Sequence, residues 1–296
     1  MLPHRSRTAV LVFLLPALAL FVLSVLLPIV QSIGLSLFDW DGITDPTFVG
    51  LDNYARLFTQ DDVFWPIVGN GLVYLGINLL FQVGVALALA NLLTYITRGR
   101  EVVKTLILLP AVISTVAIAL LFRRFYSAEP EGLVNQLLGA VGLSDLATAW
   151  LSNVHTVLVS VSVPDGWRSV GLYTLILYAA LISVPAETEE AAKLDGAGWW
   201  RVFTNVRVPH IRPVLVTTAV MAATYSLRGF DVPYLLTNGG PGQASEIPTT
   251  YMYKSAFTSA DFGYASTISV FIVLEAIIAV VIIIGLFQRR EKDGVA

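Results

Sequence analysis

The stretch EEAAKLDGAGWWRVFTNVRVPHIRP, residues 189–213, decides the fold, because it is a charged insert between two apolar segments of membrane-spanning length. It includes three small residues, Ala191, Ala192 and Gly196, where the surface of another protein can approach the backbone closely. Acidic residues at its start suit the positive end of a helix dipole, so a short helix is predicted over about 187–197. The segment is therefore predicted to be a docking site for another protein.

The composition indicates the environment of this insert. The chain of 296 residues is 56% hydrophobic and 13% charged, with a mean hydropathy of +0.74, whereas ordinary globular domains are about a quarter charged. This predicts an integral membrane protein in which spans and short loops leave no room for a separate ATPase or enzyme domain. The absence of cysteine excludes disulfides and thiolate ligands. The three histidines are scattered, so no metal site is predicted.

Six apolar segments are long enough to cross a bilayer, which requires about 20 predominantly apolar residues. The first follows basic residues like a signal peptide, but it is too long and lacks a small-residue cleavage site, so it is interpreted as a retained span. The predicted spans are residues 9–33, 66–96, 102–125, 154–184, 210–232 and 264–288.

Orientation follows from the basic residues, because Lys and Arg near the ends of spans resist translocation. With the N-terminus inside, the cytoplasmic segments hold 12 of the 18 Lys and Arg residues. Both termini and a coupling loop at 186–209 are therefore predicted to be cytoplasmic. The 12 residues are Arg5, Arg7, Arg98, Arg100, Lys104, Lys193, Arg201, Arg207, Arg212, Arg289, Arg290 and Lys292.

The charged insert has a recognisable arrangement of residues. Its pattern consists of Glu190, Ala191, Ala192, Gly196, Val206, Val208 and Pro209. This resembles the EAA loop of the permease subunits of binding-protein-dependent ABC importers, with valines where that loop usually has Ile and Leu. FDVPYLLTNGGP (230–241) and TYMYKSAFTSADFGYASTIS (250–269) are similar to the MalF/UgpA-like half of the sugar-permease branch.

The resemblance implies an all-α integral membrane protein with the six-helix, type I importer (MetI-like) permease fold, formed by one domain over 1–296. It further implies a bacterial or archaeal cytoplasmic membrane, a second, MalG/UgpE-like permease, two ATPase subunits that bind ATP and Mg, and an extracytoplasmic substrate-binding protein. The chain itself is expected to have no catalytic residues and no cofactor, and to contact lipid but not nucleic acid. The implied ATPase-coupling residues are Glu190, Ala191, Ala192, Asp195, Gly196 and Pro209.

The substrate path is predicted where the spans carry polar groups, because an ionisable residue at membrane depth usually faces protein or water. The run from Pro164 to Ser169 interrupts span four, and its Pro and Gly can open the helix if the freed backbone groups line a cavity. The resemblance aligns positions 169, 172, 222, 226 and 229 with sugar contacts of the maltose-type permease, although the side chains differ. The path residues are predicted to be Arg168, Ser169, Leu172, Ala222, Tyr225, Ser226, Arg228 and Gly229.

Alternatives stay open at this point. Arg168 and Arg228 are also compatible with an outer interface where their long side chains reach water, and Asp165 and Asp231 with simple pairing to them. Within the family, an importer for glycerol-3-phosphate or another phosphorylated polyol is the alternative to a carbohydrate importer, because two arginines suit an anion. An ion-coupled secondary transporter, with Asp165 or Glu275 as the coupling carboxylate, is disfavoured because no paired repeats are evident.

Overall fold

A computed structural model describes residues 7–128 and 131–293, and the side chains of 12–128 and 131–287. The predicted cytoplasmic Arg5, and the side chains of Arg7, Arg289, Arg290 and Lys292, lie outside this description. The chain divides into two compact units, one over Met1–Phe64 and Met252–Val273 and one over Trp65–Tyr251 and Leu274–Ala296.

The first unit begins with a helix that is continuous over Val12–Leu35 and covers most of the predicted first span. A two-residue hairpin, which pairs Phe38 with Phe48, is the strand structure of the described residues. Asn53 holds the helix Asp52–Thr59 against the hairpin, because its side-chain amide donates to the carbonyl oxygens of Ser36 and Phe38 at 3.1 and 2.9 Å. The elements are α1 (Arg7–Phe21), π-helical Val22–Leu26, α2 (Leu27–Leu35), β1 (Phe38–Asp39), β2 (Thr47–Phe48) and α3 (Asp52–Thr59).

All of the regular secondary structure described for the second unit is helical. Two further helices, α15 (Pro248–Phe257) and α16 (Phe262–Asp293), contribute residues to both units. The elements that lie between α3 and α15 in the chain are α4 (Phe64–Leu79), π-helical Leu80–Val85, α5 (Ala86–Tyr95), α6 (Arg100–Val112), α7 (Thr115–Phe125), α8 (Leu133–Ala140), a 3-10 turn at Ser144–Leu146, α9 (Val157–Leu181), α10 (Ala186–Leu194), α11 (Trp199–Val202), π-helical Phe203–Arg207, α12 (Val208–His210), α13 (Arg212–Leu227) and α14 (Asp231–Thr237).

Helix α9 is the centre of the second unit and packs against α5, α6 and the π-helical turn Leu80–Val85. Two glycines permit this packing. A Cβ on Gly171 would lie 2.9 Å from Leu108 Cα and closer still to the carbonyl oxygen of Ile107. A Cβ on Gly166 would lie 2.8 Å from Phe81 Cγ. Small residues at such contacts allow helices to approach closely, which is how membrane helices gain packing energy.

The structure describes two of the predicted spans in more detail. The helix of span four stays closed at 164–169, because α9 continues through Pro164, and Gly166 lies close to Phe81. The predicted span 102–125 is broken, because α6 and α7 meet at a bend of 96°. Ile113 is extended there, and Ser114 caps α7 by accepting a hydrogen bond from the Ala117 amide at 3.3 Å.

The described helices relate to the predicted spans in different ways. Three are long and apolar enough to cross a membrane: Val12–Leu35, Phe64–Tyr95 and Phe262–Phe287. The bent pairs α6 with α7, and α9 with α10, raise the number to five if each pair counts as one span. Helix α13, in the predicted span 210–232, has only 16 residues. Six spans therefore stay a prediction.

Candidate functional site

The second unit contains a polar cavity of about 340 Å³. It lies where α4, α9 and the segment from the end of α13 to the start of α14 meet. Its walls carry charged, phenolic and apolar side chains, a mixture that is typical of small-molecule sites with a few orienting polar groups. The lining residues are Tyr74, Asp165, Arg168, Tyr225, Arg228, Gly229, Phe230, Asp231 and Val232.

Asp165 is the buried centre of this lining, with 3% of its surface exposed. Its carboxylate accepts hydrogen bonds from the Tyr74 hydroxyl at 2.7 Å and the Tyr225 hydroxyl at 3.2 Å. The Arg168 guanidinium donates to the same carboxylate at 3.4 Å and also to the Tyr225 hydroxyl. These donors compensate a charge that would be costly to bury alone. The network connects α4, α9 and α13 at one point.

The structure brings together half of the predicted path residues. Arg168, Tyr225, Arg228 and Gly229 line the cavity. The other four are not part of its lining. Ala222 and Ser226 are buried, Leu172 is 48% exposed on α9, and the Ser169 hydroxyl donates to the carbonyl oxygen of Asp165 at 2.8 Å.

Two lining residues were absent from the predicted path set although they hold the network together. Asp165 carried a signal, because it is an acidic residue within an apolar run. Tyr74 carried none, since a tyrosine in an apolar helix is equally typical of packing. Below it on the same helix, Asn78 donates to the Tyr74 carbonyl oxygen at 3.1 Å, and Gln82 donates to Asn78 at 3.3 Å. All three side chains are buried.

The predicted coupling residues lie on an exposed segment. Helix α10 has no buried residue, and Leu194 near its end is 90% exposed. Gly196 follows with φ of +83°, in the left-handed region that favours glycine. Apart from its neighbours in the chain, no described atom would lie within 4 Å of a Cβ at this position, so this backbone is open to a partner. Among the predicted coupling residues, those exposed are Glu190, Ala191, Asp195, Gly196 and Pro209, whereas Ala192 is half-buried.

One side-chain contact of α10 was not predicted. Glu189 binds Arg207 in a two-pronged ion pair, with Nε to Oε1 at 2.7 Å and Nη2 to Oε2 at 2.8 Å. Nη1 of Arg207 donates to Asn91 Oδ1 at 2.9 Å and to Thr94 Oγ1 at 3.0 Å, both on α5. The hydrogen bonds to Glu189 raise the pKa of the Arg207 guanidinium above its ordinary value. The guanidinium is therefore charged at every physiological pH.

A polar cavity within long apolar helices, and an exposed charged helix set apart from them, define a class of protein. They are the features of a multi-pass membrane transport component. The chain belongs to the family described as the binding-protein-dependent transport system inner membrane component, which matches residues 82–293. This confirms the predicted ABC importer permease family and a location in the membrane.

Individual relatives agree over nearly the whole chain. A probable ABC transporter permease protein of Bacillus subtilis, YurN, is 39% identical over 92% of this chain and 93% of its own length. The lactose transport system permease protein LacF of Rhizobium radiobacter is 33% identical over 95% and 93%. A bacterial ABC transporter involved in the import of the acidic polysaccharide alginate is similar in structure, with a TM-score of 0.79, 25% identity and 95% coverage of both chains. This similarity confirms the predicted permease fold.

Proposed function

We propose that this chain forms half of the translocation path of an ATP-driven importer for a mono-, di- or oligosaccharide delivered by a substrate-binding protein. A second permease subunit completes the path, and two ATPase subunits bind ATP and Mg and hydrolyse the nucleotide. Both termini and α10 face the cytoplasm, in keeping with the distribution of basic residues. The names of the lactose and alginate transporters support a saccharide as the substrate class.

The charge balance of the cavity is the observation that favours a sugar over a phosphorylated polyol as the substrate. Its lining has two guanidinium groups, Arg168 and Arg228, and two carboxylates, Asp165 and Asp231. The formal charge is therefore zero, which suits the hydroxyl groups of a sugar better than a phosphate dianion. Arg168 is already compensated by Asp165. A phosphorylated polyol would instead need donors that are not committed to a carboxylate.

The coupling residues have the exposure that docking requires. In the proposed complex, the ATPase contacts the face formed by Glu190, Ala191, Ala192, Asp195 and Gly196, with Pro209 beside the return to the membrane. The exposed Leu194 provides an apolar contact for the same partner. Closure of the ATPase pair then moves α10 and, through it, the helices around the cavity.

The experiment is uptake by proteoliposomes that contain the complete complex, expressed with its genomic neighbours, with ATP inside and the binding protein outside. Labelled lactose, an acidic oligosaccharide and glycerol-3-phosphate are compared. We expect ATP-dependent uptake of a saccharide, reduced by Tyr225→Phe and unchanged by Tyr173→Phe, which makes the same change at a buried residue outside the cavity. Uptake of only the phosphorylated polyol, or uptake driven by an ion gradient without ATP, would overturn the proposal.

A further inference from the structure

Helix α10 is held in place by few contacts with the rest of its unit. It buries no residue, so apolar packing does not fix its position. Its preceding link to α9 is the short segment 182–185, and its following link passes through Gly196 at φ +83°. Both links are loops, the kind of segment at which hinge motions take place. The side-chain contacts of α10 therefore matter for how a force applied to this helix reaches the rest of the unit.

Arg207 supplies such a contact and is the buried member of it. The residue is 8% exposed, although it carries a full charge. Its guanidinium joins three elements: Glu189 on α10, its own π-helical turn, and Asn91 with Thr94 on α5. The Tyr95 ring lies 5.1 Å from the guanidinium carbon. The planar guanidinium fixes both the distance and the angle of its partners, which a lysine ammonium does not.

We propose that Arg207 is a positioning residue that transmits the movement of α10 to α5. This rests on the proposed function, in which the ATPase moves α10. Helix α5 continues through a π-helical turn into α4, which carries Tyr74 at the cavity. The ion pair thus connects the docking helix to a helix that forms the cavity wall, by a route separate from the covalent path through α9. The strength of this connection comes from charge-assisted hydrogen bonds in a largely desolvated position.

The test measures coupling rather than assembly. The complete complex is reconstituted with Arg207→Met or Glu189→Gln, and ATP hydrolysed per saccharide imported is measured together with the amount of ATPase that copurifies. Glu187→Gln is the matched control, because it removes the same charge from an exposed position on the same helix. A double variant, Glu189→Arg with Arg207→Glu, restores the pair with its charges reversed.

We expect ATP hydrolysed per saccharide to rise about tenfold in both single variants, a factor that corresponds to about 1.4 kcal/mol. The amount of copurified ATPase stays at the wild-type level, Glu187→Gln keeps the wild-type ratio, and the reversed pair recovers part of it. An unchanged amount of ATP hydrolysed per saccharide in the single variants contradicts the inference. This includes the case in which the amount of complex, ATP hydrolysis and saccharide import all decrease by the same factor. A wild-type complex that shows no ATP-dependent import overturns the proposed function and the inference with it.

Discussion

Replacing Asp165 by Asn is the perturbation that tests the cavity network most severely. The substitution keeps the shape of the side chain but removes the charge that pairs with Arg168. It also turns one acceptor oxygen, which now receives a hydrogen bond from Tyr74 or Tyr225, into a donor group. Breaking a buried ion pair by removing one partner costs about 3–5 kcal/mol. Because the Arg168 side chain remains 20% exposed, we expect the lower end of that range, about 3 kcal/mol.

The assay is the thermal stability of the detergent-purified chain, followed by the loss of monodisperse protein on heating. A destabilisation of about 3 kcal/mol corresponds to a fall in melting temperature of about 5 °C for a chain of this size. Asp231→Asn is the control, since Asp231 lines the same cavity but is exposed at the start of α14. Its loss costs less than about 1 kcal/mol, the value of an acidic residue at a helix start. Equal melting temperatures for the two variants would refute the network.

Three further outcomes follow from the structure. Gly171→Val should lower stability by about 1–3 kcal/mol or more, because the new side chain meets the α6 backbone. Gly76→Ala should not lower it, because the space around a Cβ at Gly76 is open. Melting curves of the two variants test this difference. Gly196→Trp should leave the permease intact but reduce copurified ATPase, since its strain and bulk fall on the exposed docking face; normal recovery would contradict this. The pKa of Arg207 is raised in the folded protein, so its contribution to stability is complete below the pKa of the unfolded chain and is lost only at higher pH. The ATP hydrolysed per saccharide should therefore not change between about pH 6 and about pH 9 on account of the pair of Arg207 with Glu189.

The sequence predicted most of what depends on local pattern. Long apolar runs predicted helices, and the helix over Phe64–Tyr95 lies within two residues of the predicted span 66–96. The spacing around Gly196 predicted a short exposed helix that ends in a turn. In each case, the signal is contained in neighbouring residues, because hydropathy, helix length and glycine conformation are local properties.

What the sequence did not predict depends on contacts between distant residues. Tyr74 and Asp165 are 91 positions apart, and Arg207 lies 116 positions from Asn91. The local sequence around either residue of such a pair does not indicate which distant residue it contacts. The run at Pro164 shows the same dependence: a proline can open a membrane helix, but α9 continues through it, and Gly166 in this run lies close to Phe81.

The most direct measurement of the central claim is the dependence of saccharide uptake on ATP in proteoliposomes that contain the complete importer. Uptake is expected only with ATP on the side that α10 faces and with the binding protein on the other. Uptake is also expected to decrease with Tyr225→Phe and not with Tyr173→Phe. Saccharide uptake by this chain alone, without ATPase or nucleotide, would contradict the account.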